Sequence, residues 1–349
     1  MSKKTRSDEM VFRVGTGVFA VFVVLLVAAI GVELWRQSQL SIARFGWQFW
    51  QTDTWNPVSG EFGARPFIWG TLYSSILALL VATPIALGIA IYISELAPSW
   101  QQRPLVFLTE LLAAIPSIVY GIWGMFVLVP FVRQLEIGTP AWMKTIPLFS
   151  GPPYGVGMLS AAIILSIMVI PFTSSVAREV LKAVPAAQRE GAYALGATRW
   201  EAIRMALFYA RTGIVGAVML GFGRALGETM AVTMVIGNTP QMSASLYAPQ
   251  YTMAAVLANE FTEAAGALYI NALIEIGLVL FAMTLIVNTI SRAFIWSLGR
   301  QTRRAPGGGL RMTSERASAR EPRERSGATG VPARERVGGS GGAKPPGKS

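Results

Sequence analysis

The sequence contains no cysteine and no histidine. Without cysteine the chain has no disulfide framework, no thiolate metal site and no cysteine nucleophile. Without histidine it lacks the commonest general base, proton relay and metal ligand. Charged residues are also scarce, at 14% of the chain against roughly 25% in a soluble domain. The composition therefore argues against an enzyme and against a soluble protein.

What the chain does contain is apolar sequence in long runs. Hydrophobic residues make up 52% of its 349 residues, and the runs are long enough to cross a hydrocarbon core of about 30 Å as helices. We predict an all-α integral membrane protein with six transmembrane helices. The predicted spans are 11–34, 68–93, 105–132, 157–177, 214–236 and 267–296. The first is too long for a signal peptide and is expected to be retained.

These spans divide the chain into four regions. Residues 1–10 are a polar N-terminus, 11–67 the first helix with an outer loop, 68–296 the main transmembrane domain, and 297–349 a basic tail. The tail is rich in glycine and proline, and we predict that it is disordered and dispensable. Its residues 342–349 satisfy the pattern of a P-loop, but they lack the preceding strand and following helix that nucleotide binding needs.

The distribution of basic residues predicts the orientation. With six spans, both termini lie on one side of the membrane. If that side is the cytoplasm, the inner flanks before the tail carry 12 Lys and Arg, and the outer loops carry 5. Basic residues favour the cytoplasmic side. We therefore expect both termini and the polar segment 178–213 in the cytoplasm of a multi-pass membrane protein.

The polar segment 178–213 has the pattern of two helices separated by a glycine. The separating residue is Gly196, and Trp200 follows it on the second helix. A short knob of this kind with an exposed tryptophan suits a groove on a partner protein. The alternative is an amphipathic helix that lies on the membrane surface. The residues alone leave both interpretations open.

A charged pair lies inside the predicted fifth span. Arg224 and Glu228 are four residues apart, so on one helix they share a face. Ionisable residues inside a span are costly and indicate function. Arg224 would offer a fixed positive charge to an anion in transit, and Glu228 would keep that charge from trapping the anion. Alternatively, the pair neutralises itself inside the bundle, and the two interpretations are compatible.

The cytoplasmic segment resembles a known motif. Its pattern Glu190-x-Ala192-x3-Gly196 is similar to the EAA loop of type I ABC importer permeases, which forms a coupling helix that fits a cleft of a cytoplasmic ATPase. Two departures stand beside the match. Gly191 replaces the second residue of the family's Glu-Ala-Ala, and the family's later Ile-x-Leu-Pro is absent, with Ala206-Leu-Phe-Tyr209 in its place. The missing proline affects how the chain leaves the coupling helix.

Three longer sequence strings indicate a particular type of permease within this family. The run GFGRALGETMAVTMVIGN at 221–238, with IPSIVYG at 115–121 and LANEF at 257–261, closely resembles permeases of the PstC type from high-affinity phosphate ABC importers. The resemblance implies the type I ABC importer permease fold. It also implies a permease subunit that moves inorganic phosphate across the bacterial cytoplasmic membrane by alternating access, with no catalytic residue of its own.

The predicted site residues and partners follow from these interpretations. The substrate pathway is predicted to include Arg224, Glu228 and Thr229, and the contact with the ATPase Glu190, Ala192, Gly196 and Trp200. The resemblance implies a second, PstA-type permease, a PstB-type ATPase dimer and a PstS-type phosphate-binding protein outside the cell. Membrane lipid is a further expected partner, and nucleic acid is not. No cofactor or metal is expected on this chain, because Mg-ATP binds to the partner ATPase.

Two other functions remain as alternatives. One is a permease of the same fold for sulfate or molybdate, since charge alone does not separate these anions from phosphate. The other is a secondary anion transporter or channel. That alternative is weaker because the chain shows no obvious inverted repeat, and such a protein does not need a cytoplasmic docking segment.

Overall fold

The computed structural model describes residues 3–303, which are largely helical. The helices of the first half are α1 (Lys3–Gln37), α2 (Gln39–Phe45), α3 (Arg65–Ile91), α4 (Ser99–Ala114), α5 (Ser117–Trp123) and α6 (Val129–Gly138). Those of the second half are α7 (Ala141–Lys144), α8 (Met158–Lys182), α9 (Ala186–Ala194), α10 (Arg199–Leu226), α11 (Met230–Thr233), α12 (Met253–Glu260) and α13 (Ala267–Arg303).

Shorter elements connect these helices. Two 3-10 turns lie at Gly46–Trp50 and Pro147–Phe149, and two π-helical turns at Tyr92–Leu96 and Gly124–Leu128. A small antiparallel hairpin pairs β1 (Trp55–Asn56) with β2 (Glu61–Phe62).

Within the described residues, six helical segments are long and apolar enough to cross a membrane. They are Phe12–Gln37, Arg65–Leu96, Ser117–Gly138, Met158–Lys182, Arg199–Leu226 and Ala267–Ala293. The prediction of an all-α protein with six spans is therefore confirmed.

The centre of the bundle is the contact between α3 and α8. Four alanines spaced four residues apart on α3 are fully buried: Ala78, Ala82, Ala86 and Ala90. Three of them, Ala78, Ala82 and Ala90, pack in hydrophobic clusters with residues of α8. Small side chains let two helices approach closely in a membrane. Ser166 Oγ of α8 also donates to the Ala78 carbonyl at 3.1 Å. α10 packs against α8, and α13 packs against α10.

The two ends of the bundle carry different elements. At one end the last residues of α3 and α8 meet α9, and we call this the α9 end. At the opposite end an aromatic cluster joins the β hairpin to α3, α12 and α13. Glu260 holds it together, because its Oε2 accepts from Trp55 Nε1 at 2.7 Å and from the Tyr269 hydroxyl at 2.6 Å. The string LANEF at 257–261 thus contributes the carboxylate of this cluster.

The third span differs from its prediction. Residues 105–132 were expected to form one bent helix, but α4 ends at Ala114, and Ile115 and Pro116 are extended. The residue before a proline avoids the α conformation, which favours a break here. The Tyr120 hydroxyl donates to the Leu112 carbonyl at 2.8 Å and so satisfies one of the acceptors left at the end of α4. The spanning segment is Ser117–Gly138.

The segment 178–213 also differs from its prediction. α8 continues to Lys182, and α10 already begins at Arg199, so only α9 and its flanks lie between them. The start of α10 is well specified, since Thr198 and Glu201 form a reciprocal capping box. α10 then ends at Leu226, ten residues short of the predicted end at 236.

Both terminal helices extend beyond the predicted spans. α1 begins at Lys3, within the predicted polar N-terminus 1–10, and α13 extends to Arg303, within the predicted tail 297–349. The first seven residues of that tail are therefore helical rather than disordered. Residues 304–349, with the P-loop-like run, lie outside the described residues.

Candidate functional site

A break in a helix is the first component of the site. Residues 227–229 separate α10 from α11. The Gly227 N–H still bonds to the Arg224 carbonyl at 3.2 Å, and the Thr229 hydroxyl donates to the Gly227 carbonyl at 3.3 Å. Glycine lowers helix stability by about 1 kcal/mol, and a threonine hydroxyl that bonds nearby backbone competes with the helix. The local sequence therefore permits a break here.

The break lies at mid-depth in the bundle. The guanidinium carbon of Arg224 is 5.7 Å from the ring centre of Phe172, which is near the middle of α8. Beyond α11, the Val235 carbonyl accepts the N–H of Gly157, immediately before α8, at 3.0 Å. Thus α10, the break and α11 run beside α8 as one discontinuous span. Irregular backbone at this depth is tolerated only where protein buries it or where it lines a water-filled cavity.

Close packing against α5 holds α11 in place. A Cβ atom at Gly121 would lie 2.6 Å from Met234 Sδ, 3.1 Å from the Ala231 Cα and 3.2 Å from the Met230 carbonyl oxygen. Any larger residue at position 121 would require the backbone of α11 and the Met234 side chain to shift. The string IPSIVYG at 115–121 therefore positions the helix break: Pro116 ends α4, and Gly121 admits α11.

Arg224 offers its charge without a carboxylate partner. Its side chain is exposed in this subunit, and no carboxylate forms an ion pair with it among the residues whose side chains the structure describes. The prediction that Arg224 and Glu228 share a helix face is wrong, because α10 ends between them. The face of the Phe172 ring lies beside the guanidinium.

The other two predicted pathway residues lie in the break itself. Glu228 and Thr229 are both half-buried. The Thr229 carbonyl accepts from the Thr233 hydroxyl at 2.7 Å, which ties the break to α11. The three predicted residues thus lie within one short stretch of chain. Phe172 was not identified from the sequence.

The second component is α9, at the end of the bundle. The predicted helix–glycine–helix arrangement is present, since Gly196 follows α9 with φ of +80°. Its N–H bonds to the Tyr193 carbonyl at 2.9 Å, and the Ala197 N–H to the Ala192 carbonyl at 3.1 Å. Such a left-handed C-terminal turn favours glycine. Ala192 is buried, so it faces the bundle, while Glu190 is exposed.

Large apolar side chains surround the glycine turn on the exposed surface. Leu195 is 90% exposed, Trp200 64% and Tyr193 50%. Exposed apolar residues that cluster mark a site of contact with another protein or with the membrane. Of the four residues predicted for contact with an ATPase, Glu190, Gly196 and Trp200 lie on this surface, and Ala192 lies beneath it.

Two arginines that were not identified from the sequence attach this segment to the bundle. Arg189 forms an ion pair with Glu95 at 2.6 Å, and Arg199 donates to the Glu95 carbonyl at 2.7 Å. The available signal was Glu95 itself, a carboxylate at the end of the apolar second span. The sequence did not show which cation would meet it, because the partners are about a hundred residues further along the chain.

Comparison with known proteins gives a consistent set of relatives. Residues 85–303 match the family model described as binding-protein-dependent transport system inner membrane component. The phosphate transport system permease protein PstC of Pasteurella multocida is 47% identical over 84% of this chain and 93% of that protein. The protein of the same name from Mesorhizobium japonicum is 44% identical over 84% and 92%. A probable PstC from Methanocaldococcus jannaschii is 37% identical over 81% and 91%.

A solved structure shows the same fold. A chain of the methionine ABC transporter MetNI, in an inward-facing conformation, superposes with a TM-score of 0.51 at 16% identity. The match covers 66% of this chain and 94% of that chain. At this identity the likeness concerns the arrangement of helices alone.

Proposed function

Because this chain belongs to the binding-protein-dependent transport system inner membrane components, and within them to the PstC-type permeases, we propose that it is the permease subunit of an ATP-driven importer of inorganic phosphate. The observation that carries the proposal is the unpaired guanidinium of Arg224 beside a mid-bundle helix break, within the described part of the chain. Discontinuous helices of this kind form substrate sites in other membrane transporters.

The charge of Arg224 suits the substrate. Phosphate carries one to two negative charges, and moving such an ion through a low-dielectric region without a counter-charge costs many kcal/mol. A guanidinium is always protonated and presents a planar set of donors that matches phosphate oxygens. Glu228, which is close in sequence and not paired with Arg224, would repel the anion and keep its binding weak enough for release.

α9 supplies the link to ATP. We assign the exposed surface around Gly196 to contact with a cytoplasmic ATPase of the PstB type, which binds Mg-ATP and hydrolyses it. The surface combines apolar side chains with the Glu190 carboxylate, as a docking knob requires. A helix that lies on the membrane surface would place one apolar helix face in lipid. The exposed apolar residues here do not share one helix, because Leu195 lies in the turn after α9 and Trp200 lies in α10. α9 and both termini are then cytoplasmic, and a PstA-type permease and a PstS-type binding protein complete the importer.

Reconstitution tests the proposal. The complex that copurifies with this chain is expected to contain an ATPase and a second permease. In proteoliposomes it should take up labelled phosphate only when ATP and the phosphate-loaded binding protein are both present.

The alternatives predict different results in the same experiment. Preferential uptake of sulfate or molybdate would identify another oxyanion permease of this fold. Phosphate uptake by the chain alone, without ATP, would identify a secondary transporter or channel and would contradict the proposal.

A further inference from the structure

Two arginines from the α9 region converge on a single turn at the end of α3. Arg189 and Glu95 form a bidentate pair, with Nη2 to Oε1 at 2.6 Å and Nε to Oε2 at 3.1 Å. Both side chains are largely buried, at 24% exposed for Arg189 and 10% for Glu95. A bidentate pair of this kind fixes orientation as well as distance. We call Glu95, Arg189 and Arg199 the clasp.

The clasp joins four elements. Arg189 lies on α9 and also donates to the Leu181 and Val184 carbonyls, at 2.9 and 3.0 Å, at the end of α8. Arg199, the first residue of α10, donates to the Glu95 and Leu96 carbonyls at 2.7 and 3.3 Å. Carbonyls in the last turn of a helix lack the full set of partners within the helix, and these arginines supply donors to the carbonyls at the ends of α8 and α3.

The turn that the arginines contact is irregular. Tyr92–Leu96 continues α3 as a π-helical turn, and the Ala97 N–H bonds back to the Tyr92 carbonyl at 2.7 Å. π-helical turns are rare and frequently mark functional sites. Here the turn carries Glu95, whose carboxylate accepts from Arg189 and whose carbonyl accepts from Arg199.

α9 otherwise has little contact with the bundle through its own side chains. Ala192 is the one residue of α9 that is buried within the described part of the chain. A partner that displaces α9 therefore acts on the spans through the covalent flanks of α9 and through the clasp. Since α3 packs along α8 for most of its length, a displacement passed to the end of α3 reaches the centre of the bundle.

We propose that Glu95 is a positioning residue that transmits the movement of α9 to α3. This inference rests on the proposed function, because it requires an ATPase that moves α9. Glu95 does not contact substrate or nucleotide in this arrangement. It acts by making α9 and α3 move as one rigid body, so loss of its charge separates ATP hydrolysis from transport.

The first test is Glu95→Gln in the reconstituted complex. Glutamine keeps the shape and one acceptor oxygen but loses the charge. We expect the complex to copurify and to keep its basal ATPase activity, while stimulation by phosphate-loaded binding protein falls about fivefold or more. Asp53→Asn is the matched control, because it removes the charge from an ion pair with Arg65 at 3.2 Å, away from α9. Its stimulation should equal that of the parental complex.

The absence of cysteine allows a second test. In the double variant Glu95→Cys and Arg189→Cys, a bifunctional methanethiosulfonate reagent replaces the clasp by a reversible covalent link. Stimulation should be low before linking, should recover at least in part with the link, and should fall again when the link is reduced. A purely structural role would not respond to the link in an already folded complex.

The outcomes separate this inference from the function on which it rests. A parental complex without ATP-dependent phosphate uptake would refute the function itself. Parental uptake with normal stimulation in Glu95→Gln overturns only the clasp. The proposal for Glu95 is also overturned if the Glu95→Gln complex fails to assemble, because Glu95 would then be needed for folding. A linked double variant whose stimulation does not recover overturns it as well.

Discussion

Arg224 is placed where a single charge has a large effect. It lies at mid-depth in the bundle, and no carboxylate neutralises it among the described side chains. The ring of Phe172 supports the guanidinium without removing its charge. An arginine in this environment is available to an anion, whereas an arginine neutralised by Glu228, one of the two interpretations of the sequence, would have needed to exchange partners first.

Replacement of Arg224 by glutamine should lower phosphate uptake. A hydrogen bond to a charged group contributes about 1.5–3 kcal/mol, which corresponds to roughly a tenfold to hundredfold loss of uptake. Arg224→Lys keeps the charge but not the planar set of donors, so its uptake should lie between that of the parental chain and that of Arg224→Gln. The measurement is initial uptake in proteoliposomes. Arg36→Gln, at an exposed ion pair on α1, is the control. Parental uptake by Arg224→Gln would show that the pathway does not use this charge.

Glu228→Gln tests whether the carboxylate is structural. Since Glu228 forms no ion pair with any side chain that the structure describes, its neutralisation should leave the yield of assembled complex unchanged. Removing a negative charge near Arg224 should instead strengthen phosphate binding and slow release. We expect a lower apparent KM together with a lower maximal rate of uptake. Loss of the assembled complex would show that Glu228 supports the bundle.

The break between α10 and α11 depends on how closely α5 approaches it. Gly121→Ala places a methyl group 3.1 Å from the Ala231 Cα and 3.2 Å from the Met230 carbonyl, so α11 must shift. Overpacking of this kind costs about 1–3 kcal/mol. We expect a lower unfolding midpoint in detergent and lower uptake. Gly88→Ala in α3 has open space around it and should be neutral or slightly stabilising. Equal effects of the two changes would contradict the packing argument.

Variants in the turn after α9 test why residue 196 is a glycine: for its backbone conformation or for its small size. Gly196 has φ of +80°, and no neighbouring atom lies within 4 Å of the position that a Cβ atom would occupy. Within this chain, position 196 therefore restricts the backbone conformation of its residue but leaves space for a larger side chain. Asparagine tolerates this conformation, while a β-branched residue is strained by about 1–2 kcal/mol. If only the backbone matters, Gly196→Asn should keep stimulation by loaded binding protein and Gly196→Val should lose it. If a partner cleft closes over the glycine, both variants should lose it.

The sequence predicted elements better than it predicted their ends. Long apolar runs and Gly196 identified the six spans and the helix–glycine–helix segment. The breaks were missed for two reasons. Pro116 was visible, but a proline inside an apolar run is compatible with either a bend or a stop. Gly227 lies in largely apolar sequence, and the break there depends on α11 packing against Gly121, a contact that local sequence does not encode.

The site was predicted to a similar extent. The string around Arg224 identified the stretch of chain, but the expected pairing of Arg224 with Glu228 followed from an assumed continuous helix. Phe172 and Glu95 could not be found by spacing, because each meets its partner across the bundle from a distant part of the chain. Residue type and local pattern therefore identified the candidate segments, and tertiary packing determined the partners of their side chains.

At the scale of the described bundle, the two components of the candidate site lie at different depths. The Arg224 region is beside the middle of α8, while α9 follows the end of α8. Since α10 begins in the clasp and ends at the break, it connects the surface around α9 directly to Arg224. α3 provides a second connection from the clasp to the centre of the bundle. In the proposed importer, a movement at α9 would thus change the surroundings of Arg224 without any contact between ATP and phosphate.

This arrangement requires α9 to face the cytoplasm, which labelling can test in a chain without cysteine. Lys144 on α7 and Gln188 on α9 are both exposed, and the single span α8 lies between them. The basic residues, 12 on the α9 side against 5 on the other, favour α9 inside. A membrane-impermeant maleimide added to intact spheroplasts should therefore label Lys144→Cys and not Gln188→Cys, and inverted vesicles should show the reverse. The parental chain should remain unlabelled, and the opposite pattern would place α9 outside, away from ATP.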